Sequence, residues 1–284
     1  MLLETACAEK SDNMSILEAI ILGIIQGATE FLPISSSGHL VLIPAIFGLT
    51  QPSLNTIAVA HLGTLVAVVI YFYRELWAIT TAVVAGLWKR DPLETPDARL
   101  GWYLAVGTIP AAVAGLLFAD TFDEIFGNPT AVAFFLLVTA LLLVLGERML
   151  TGEKPLAEMT WTDSIIIGFF QMLALFPGIS RSGSAITGGL WRGLDRETAA
   201  RYSFLLGVPA ILGAGLLSIL DMQQSGTLAS EWRILLAEFL AAAVVGYACI
   251  YFLLAWLRSH SLYIFAAYCA LLGGGYLLWT YFLS

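Results

Sequence analysis

The sequence predicts an all-α integral membrane protein with six transmembrane helices plus two re-entrant helical hairpins in an inverted repeat. Three observations lead to this fold class: the composition, the spacing of long uncharged runs, and an internal repeat. Of the 284 residues, 59% are hydrophobic and only 12% are charged, and the mean hydropathy is +0.85. A soluble domain carries about 25% charged residues. So little charge cannot cover a surface in water, which excludes a soluble protein.

Charge and cysteine usage exclude two further classes. The net charge of −8 argues against a nucleic-acid partner, because binding to phosphate backbones needs a basic face. Cys7, Cys249 and Cys269 lack the spacing of a zinc site or a disulfide framework. The acidic N-terminus does not resemble a signal peptide. No linker divides the chain, so we expect a single membrane domain over residues 1–284.

Six uncharged runs are long enough to cross the membrane, since about 20 apolar residues span ~30 Å of hydrocarbon. These segments are, approximately, 56–73, 101–118, 130–147, 202–220, 234–257 and 262–283. Two other apolar regions, 16–48 and 163–192, are interrupted by FLPISSSGHL and LFPGISRSGS. Proline and glycine end helices, and serine favours caps and turns. Each region therefore predicts a helical hairpin that returns to the side from which it started.

The two hairpin regions are copies of each other. A shift of 145 positions aligns them with seven identities in the sixteen positions 23–38. Three full spans follow each hairpin, which gives one repeat over about 16–148 and a second over about 163–283. An odd number of spans turns the second repeat upside down, and such inverted repeats hold their sites near the midplane.

The repeats differ where chemistry is expected. The first tip has Glu30, Ser36 and His39 where the second has a leucine, Arg181 and a serine. Glu30 and Arg181 are also the strongly ionisable residues that lie deep within apolar segments. A charge in the membrane costs about 2.5–3.5 kcal/mol even on insertion scales, so it marks a functional candidate.

The hairpin tips are suited to an anion. We expect helices to start near His39 and near Ala185, and helix N-termini present free N–H groups and a positive dipole end. The planar fork of Arg181 suits bidentate binding of phosphate. The ligand is therefore predicted to be anionic, with phosphate as the favoured class. The substrate-binding candidates are Gln26, Ser35, Ser37, Gly38, Ser180, Ser182, Gly183, Ser184 and Thr187.

Simpler roles remain open for several of these residues. Arg181 and Glu30 would also form a structural ion pair without a ligand, and the tip serines are turn and cap residues by default. We expect structural roles for His61, which opens a span, and for His260, which lies in a turn. Glu238 is expected to be solvated near a membrane interface.

The distribution of Lys and Arg predicts an orientation. With an external N-terminus, the segments on the cytoplasmic side hold ten cations and the external segments hold Lys10 and Arg233. Cytoplasmic loops carry the excess of Lys and Arg. Both termini are therefore predicted to be periplasmic.

The paired motifs resemble the signature segments of the undecaprenyl-diphosphate phosphatase (BacA/UppP) family. The likeness is carried by LGIIQGATEFLPISSSGHL and ALFPGISRSGSAITGG, and it extends to GTIPAAVAGLLF and YSFLLGVPA. The resemblance implies a bacterial inner-membrane enzyme that hydrolyses the lipid carrier diphosphate C55-PP to C55-P and phosphate. Such an enzyme recycles the carrier for peptidoglycan synthesis and confers bacitracin resistance.

The resemblance also implies the catalytic residues and a cofactor. By position, the catalytic set falls on Glu30, Ser36, His39 and Arg181, with a divalent cation, Mg²⁺ or Ca²⁺, on Glu30. The sequence departs from the family pattern at Gln26, which replaces the first glutamate of an E-x-x-x-E pair. It departs again at Ala185, where we expect a threonine.

The sequence leaves the nucleophile and the function class open. The nucleophile is either Ser36, activated by His39 or Glu30, or a water molecule activated by the same groups. The competing function is a lipid or anion transporter, since inverted repeats with paired hairpins are also transporter architecture. A transporter has less need of a hydroxyl beside a base, so the sequence favours the phosphatase.

Overall fold

The protein is described by a computed structural model that covers residues 14–282. Within this range the chain is helical, and one isolated bridge between Lys154 and Leu194 is its only β-type pairing. The α-helices are α1 (Ile16–Phe31), α2 (Ser36–Phe47), α3 (Leu54–Tyr71), α4 (Tyr73–Lys89), α5 (Pro96–Leu117), α6 (Ala119–Phe126), α7 (Pro129–Met149), α8 (Trp161–Met172), α9 (Arg181–Trp191), α10 (Arg196–Ser225), α11 (Thr227–Leu257) and α12 (Tyr263–Phe282). Cys7, Lys10 and residue 283 lie outside the described range.

Six of these helices are long and apolar enough to cross a membrane: α3, α5, α7, α10, α11 and α12. They coincide with the six predicted spans. The number and the approximate positions of those spans are therefore confirmed. Many large apolar side chains on these helices are exposed at the protein surface, Leu116, Val244 and Leu271 among them. Exposed apolar surface on this scale is what a lipid environment accommodates. The chain is a multi-pass membrane protein.

The first predicted hairpin contains α1 and α2. A capping box between Ser15 and Glu18 starts α1, and the helix ends just before Pro33. Helix α2 begins at Ser36 because the Ser35 hydroxyl accepts a hydrogen bond from the Gly38 backbone N–H.

The second predicted hairpin is built in the same way from α8, a short 3₁₀ turn over Leu173–Leu175, and α9. Ser180 caps α9 by accepting a hydrogen bond from the Gly183 N–H, so this helix begins at Arg181. Both second helices therefore start three or four residues earlier than predicted. In each case the first serine of the tip serves as the cap, which makes Ser36 and Arg181 the first helical residues.

Two helices were not predicted. Helix α4 occupies part of a region assigned to a cytoplasmic segment, and α6 occupies a predicted external loop. The search for long uncharged runs missed α4 because Arg74, Glu75 and Lys89 bound its apolar stretch. It missed α6 because eight residues with three acidic groups are too short and too polar to span a membrane.

Small residues fix α1 and α3 against α11. A Cβ atom added at Gly23, Gly27 or Gly63 would collide with the backbone of α11. This close approach buries Glu238 of α11 completely, and neither of its carboxylate oxygens has a hydrogen-bond partner. The expectation that Glu238 is solvated is therefore wrong. The packing therefore holds α1 in place and, with it, Glu30 near its end.

Candidate active site

The two hairpin tips touch each other. The Gly178 N–H donates a hydrogen bond to the Ser37 hydroxyl at 3.2 Å, and the Ser182 hydroxyl donates to the Leu32 carbonyl at 3.4 Å. Gly178 has φ = +101°, and Ser35 has φ = +69°, which is unusual for a residue with a side chain. Strained backbone of this kind is found at functional sites, where the surrounding structure must hold it.

Glu30 and Arg181 form a buried ion pair across the contact between the tips. Nε and Nη2 of Arg181 lie 3.1 and 3.0 Å from Oε1 of Glu30. The third nitrogen, Nη1, donates to the Ser203 carbonyl at 3.0 Å. Glu30 is 4% exposed. The two charges predicted to lie within the membrane therefore meet, although they are 151 positions apart in the sequence.

The other carboxylate oxygen of Glu30 accepts from a hydroxyl and an amide. The Ser36 hydroxyl donates to Oε2 at 2.8 Å, and Nε2 of Gln26 donates to it at 3.0 Å. Because its proton points at Glu30, Ser36 has lone pairs free to face a substrate. This is the arrangement of a hydroxyl nucleophile beside a general base.

His61 also belongs to this cluster, which the sequence analysis missed. Its Nε2 lies 3.3 Å from Oε2 of Glu30, and its Nδ1 lies 2.8 Å from the Ile57 carbonyl. The carbonyl only accepts, so Nδ1 carries a proton. A favourable contact between Nε2 and Glu30 then requires a second proton between them. The carboxylate thus has a cationic or proton-sharing partner on each oxygen.

A cavity of about 170 Å³ lies beside this cluster. Five predicted site residues line it, namely Glu30, Ser36, Ser37, Ser180 and Arg181. Other polar residues of its wall are Thr29, His61 and Gln171. The remaining candidates lie outside the lining: Gln26, Ser35, Gly38, His39, Ser182, Gly183, Ser184 and Thr187. Gln26 still contacts Glu30, and Ser35 and Ser180 act as helix caps, whereas the Thr187 hydroxyl donates to the Leu142 carbonyl.

The His39 ring is directed away from the cavity. Its Nε2 lies 2.7 Å from the Tyr268 hydroxyl, and its Nδ1 lies 2.7 Å from the Ser35 carbonyl. Both ring nitrogens are therefore satisfied by protein groups, and the ring also stacks on Tyr268. In this position His39 links α12 to the first tip and makes no contact with Glu30.

The donor set does not form a resident site for a divalent cation. Within residues 14–282 no group of three or more His, Cys, Asp or Glu side chains could hold a metal. Mg²⁺ and Ca²⁺ prefer six or more oxygen ligands. Glu30 is the only carboxylate in the described cavity wall, and both its oxygens already accept hydrogen bonds. The predicted metal role of Glu30 therefore has no support from its neighbours.

The site is suited to an anion such as a phosphate group. The N-termini of α2 and α9, which attract anions, both begin at the cavity. Arg181 adds a positive charge, and Ser36 adds a hydroxyl beside the carboxylate of Glu30. Fold and site together define a multi-pass membrane protein with a buried, asymmetric polar cavity whose donors are suited to an anion.

The chain belongs to the BacA family: residues 19–275 match the family model described as bacitracin resistance protein BacA. It is 45% identical over 271 residues to an undecaprenyl-diphosphatase of Chloroherpeton thalassium. The aligned region covers 92% of this chain and 95% of that relative. It is 46% identical over 270 residues to an undecaprenyl-diphosphatase of Chlorobaculum tepidum, with 92% and 96% covered. A relative of the same name from Methanosphaera stadtmanae is 43% identical over 269 residues, with the same coverage. The family that the motifs resemble is thereby confirmed.

Proposed function

We propose that this protein is an undecaprenyl-diphosphatase, which hydrolyses C55-PP to C55-P and inorganic phosphate and so recycles the lipid carrier. The names of its relatives support this activity, and the family's description supports a role in bacitracin resistance. The observation that carries the proposal is the contact of one carboxylate with both a hydroxyl and an arginine. Ser36 and Arg181 touch opposite oxygens of Glu30 beside one cavity.

In the proposed first step the Ser36 oxygen attacks the terminal phosphorus of the diphosphate. The hydroxyl proton passes to Glu30, 2.8 Å away, and the bond from the phosphorus to the bridging oxygen breaks. C55-P leaves, and the phosphoryl group stays on Ser36. Phosphoryl transfer depends mainly on positioning and charge stabilisation. Arg181 and the N-termini of α2 and α9 would supply both.

In the second step water attacks the phosphoserine. The bond from phosphorus to Ser36 breaks, and Glu30 returns the proton of the first step to the serine oxygen. Glu30, paired with His61, then accepts the proton that the water loses and releases it to solvent as phosphate departs. Direct attack of water on C55-PP is the alternative, with Glu30 as the base. Replacing Ser36 by alanine distinguishes the two, because only the serine pathway needs this hydroxyl.

The proposal extends to the way in which the chain crosses the membrane. We infer that α1–α2 and α8–α9 are re-entrant hairpins that head two inverted repeats and meet near the midplane. The prenyl tail would then pass sideways into lipid between helices. The protein would lie in the bacterial inner membrane with both termini in the periplasm.

A divalent cation is the expected cofactor of this reaction. Its chemistry is to neutralise charge on the phosphoryl oxygens. Because the cavity wall offers a single carboxylate that already accepts hydrogen bonds, we propose that the substrate-free protein does not hold this cation by itself. Chelation should then stop turnover and leave the melting temperature of the substrate-free protein unchanged.

The decisive experiment measures phosphate release from C55-PP by purified protein in detergent, with Mg²⁺ or Ca²⁺ and with a chelator. We expect Glu30→Gln and Arg181→Ala to lose at least about 100-fold in turnover, since a positioned arginine is worth 10³–10⁵ in phosphoryl transfer. Ser36→Ala is compared with Ser230→Ala, which changes an exposed serine of α11. A well-folded wild type that releases no phosphate would refute the phosphatase and make lipid or phosphate translocation in liposomes the next measurement.

A further inference from the structure

Gln171 of α8 is a polar residue of the cavity wall that takes no part in the two proposed reaction steps. Its side chain lines the cavity and is 3% exposed. Neither its amide nitrogen nor its amide oxygen has a hydrogen-bond partner among the described residues. An unpartnered buried amide destabilises the folded state, so its presence calls for an explanation.

The repeat explains why this amide is unpartnered. Gln171 aligns with Gln26 at the shift of 145 positions, and each lies on the first helix of its hairpin. Gln26 donates to Glu30, one helical turn further on. The residue one turn beyond Gln171 is Leu175, whose side chain cannot accept a hydrogen bond. The second hairpin therefore has the amide of Gln171, but it has no carboxylate at the position that corresponds to Glu30.

The surroundings of Gln171 point to a ligand rather than to a protein partner. The residues that α5 and α10 contribute to the cavity are apolar: Ala111, Ala210 and Ile211. The charged and hydroxyl groups come from the tips and from α1 and α3. Gln171 therefore supplies a polar contact from an otherwise apolar part of the wall, within the same volume as Arg181.

We propose that Gln171 is a further substrate-binding residue, whose amide nitrogen donates a hydrogen bond to a phosphoryl oxygen of the bound diphosphate. The inference rests on the proposed function, because it takes the ligand to be a diphosphate. A neutral amide adds a directional donor without adding charge, which complements the guanidinium and the helix N-termini. The amide oxygen accepts from a water molecule or a protonated phosphoryl oxygen at the same place.

The test compares the wild type with Gln171→Leu, Gln171→Glu and the matched control Gln223→Leu, which changes an exposed glutamine of α10. Binding of inorganic diphosphate to the purified proteins is measured by titration calorimetry, and melting temperature is measured without ligand. We expect Gln171→Leu to weaken binding at least about tenfold, which is the effect of losing a hydrogen bond to a charged group. Its melting temperature should equal or exceed that of the wild type, because an unpartnered amide has been removed.

Gln171→Glu keeps the shape and adds a negative charge, so it should weaken binding further. The control should match the wild type in both measurements. The inference would be overturned if inorganic diphosphate bound the wild type and Gln171→Leu with equal affinity. It would also be overturned if diphosphate bound neither protein. A lower melting temperature with unchanged affinity would overturn it as well, since that is the signature of a structural residue. The KM for C55-PP should rise in parallel with the loss of diphosphate binding.

These outcomes separate the two proposals. A wild type that binds inorganic diphosphate through Gln171 and does not hydrolyse C55-PP would refute the phosphatase and support the binding residue. A wild type that hydrolyses C55-PP, with a KM and a diphosphate affinity that do not change in Gln171→Leu, would do the reverse.

Discussion

Gly207 of α10 leaves the space that the Arg181 guanidinium occupies. A Cβ atom at this position would overlap Nη1 and the central carbon of the guanidinium. The clash falls on the flexible end of a long side chain, so we expect Gly207→Ala to move Arg181 and leave the helices in place. A displacement of about 1 Å at a reacting centre costs on the order of 10²-fold in rate. The measurement is turnover of C55-PP together with melting temperature.

Gly213→Ala is the matched control for this prediction. It lies on the same helix, and its added methyl group meets nothing within 4 Å. We expect the control to keep the wild-type rate. Normal turnover in Gly207→Ala would show that the position of the guanidinium is not critical.

His61 and His39 should respond differently to substitution. His61 contacts Glu30, whereas His39 contacts Tyr268 and the Ser35 carbonyl. We expect His61→Ala to lower turnover by about 100-fold, the typical contribution of a proton-transfer residue. His39→Ala should lower stability by about 0.5–1.5 kcal/mol for each hydrogen bond lost and reduce turnover less than tenfold. Turnover and chemical unfolding of both variants test this, and a folded but inactive His39→Ala would support the catalytic role that the family resemblance implies.

These residues also show what the sequence could predict about the site. Glu30 and Arg181 were identified because a deep charge in an apolar segment is costly, and this argument needs no structure. His61 was assigned a structural role because it lies near the start of a predicted span. Its contact with Glu30 depends on how α3 packs against α1, which no local pattern reports. The orientation of His39 depends on Tyr268, 229 positions away. No local pattern reports a contact at that distance.

At the scale of elements, Asp163 joins the start of α8 to the end of α9 and to the preceding loop. Its carboxylate accepts from Arg192 at 2.7 Å, from the Thr160 N–H at 2.8 Å, and from Lys154. Burial alone would raise the pKa of Asp163, but the hydrogen bonds from Lys154, Arg192 and Thr160 lower it to about 2. This ion pair lies outside the six apolar spans, at the base of the second hairpin.

The lowered pKa of Asp163 predicts how stability depends on pH. A carboxyl group whose pKa is depressed in the folded state contributes its full stabilisation above its unfolded pKa of about 3.9. That contribution is lost as the pH falls towards 2. We therefore expect Asp163→Asn to melt below the wild type at pH 7, and the difference should shrink between pH 4 and pH 2.5.

Glu197→Gln serves as the control for the pH experiment, because it breaks an exposed ion pair with Arg258, and such pairs contribute little to stability. Melting temperatures in detergent across this pH range provide the measurement. A difference between Asp163→Asn and the wild type that is the same at pH 7 and pH 2.5 would contradict the assignment.

The helices show where prediction from sequence reaches its limit. The six spans were predictable because each is a long apolar run, and the hairpins were visible because proline, glycine and serine interrupt the pattern. Helix α4 was missed because charged residues at both ends leave the apolar run 76–88, which is shorter than the about 20 residues of a membrane span. The starts of α2 and α9 depend on which serine caps the helix, and consecutive serines offer several equivalent choices. The extents of the two repeats remain predictions.

At the scale of the whole molecule, ion pairs gather the cation-rich ends of the helices on one face. Arg201 of α10 pairs with Glu75 of α4, and Arg196 pairs with Glu147 of α7. The pair between Arg258 and Glu197 adds the end of α11 to this face. The segments that the positive-inside rule assigns to the cytoplasm are therefore in mutual contact, as one side of a membrane protein requires.

This arrangement predicts which loops face the outside of the cell. The loop around α6 holds acidic residues and lies at the opposite ends of α5 and α7 from the cation-rich face. Because Lys and Arg are retained in the cytoplasm, we expect the α6 loop to be external. Two single-cysteine variants test this in a background where Cys7, Cys249 and Cys269 are replaced by serine. Asp123→Cys reports on the α6 loop, and Glu153→Cys reports on the cation-rich face. Both positions are exposed.

A membrane-impermeant maleimide applied to intact cells should label Asp123→Cys and leave Glu153→Cys unlabelled. Both should react after permeabilisation, which controls for burial of the new thiol. The reverse pattern would place the cation-rich face outside and the N-terminus in the cytoplasm. Equal labelling of both positions in intact cells would show that copies of the chain insert in two orientations, which ten cations against two should prevent.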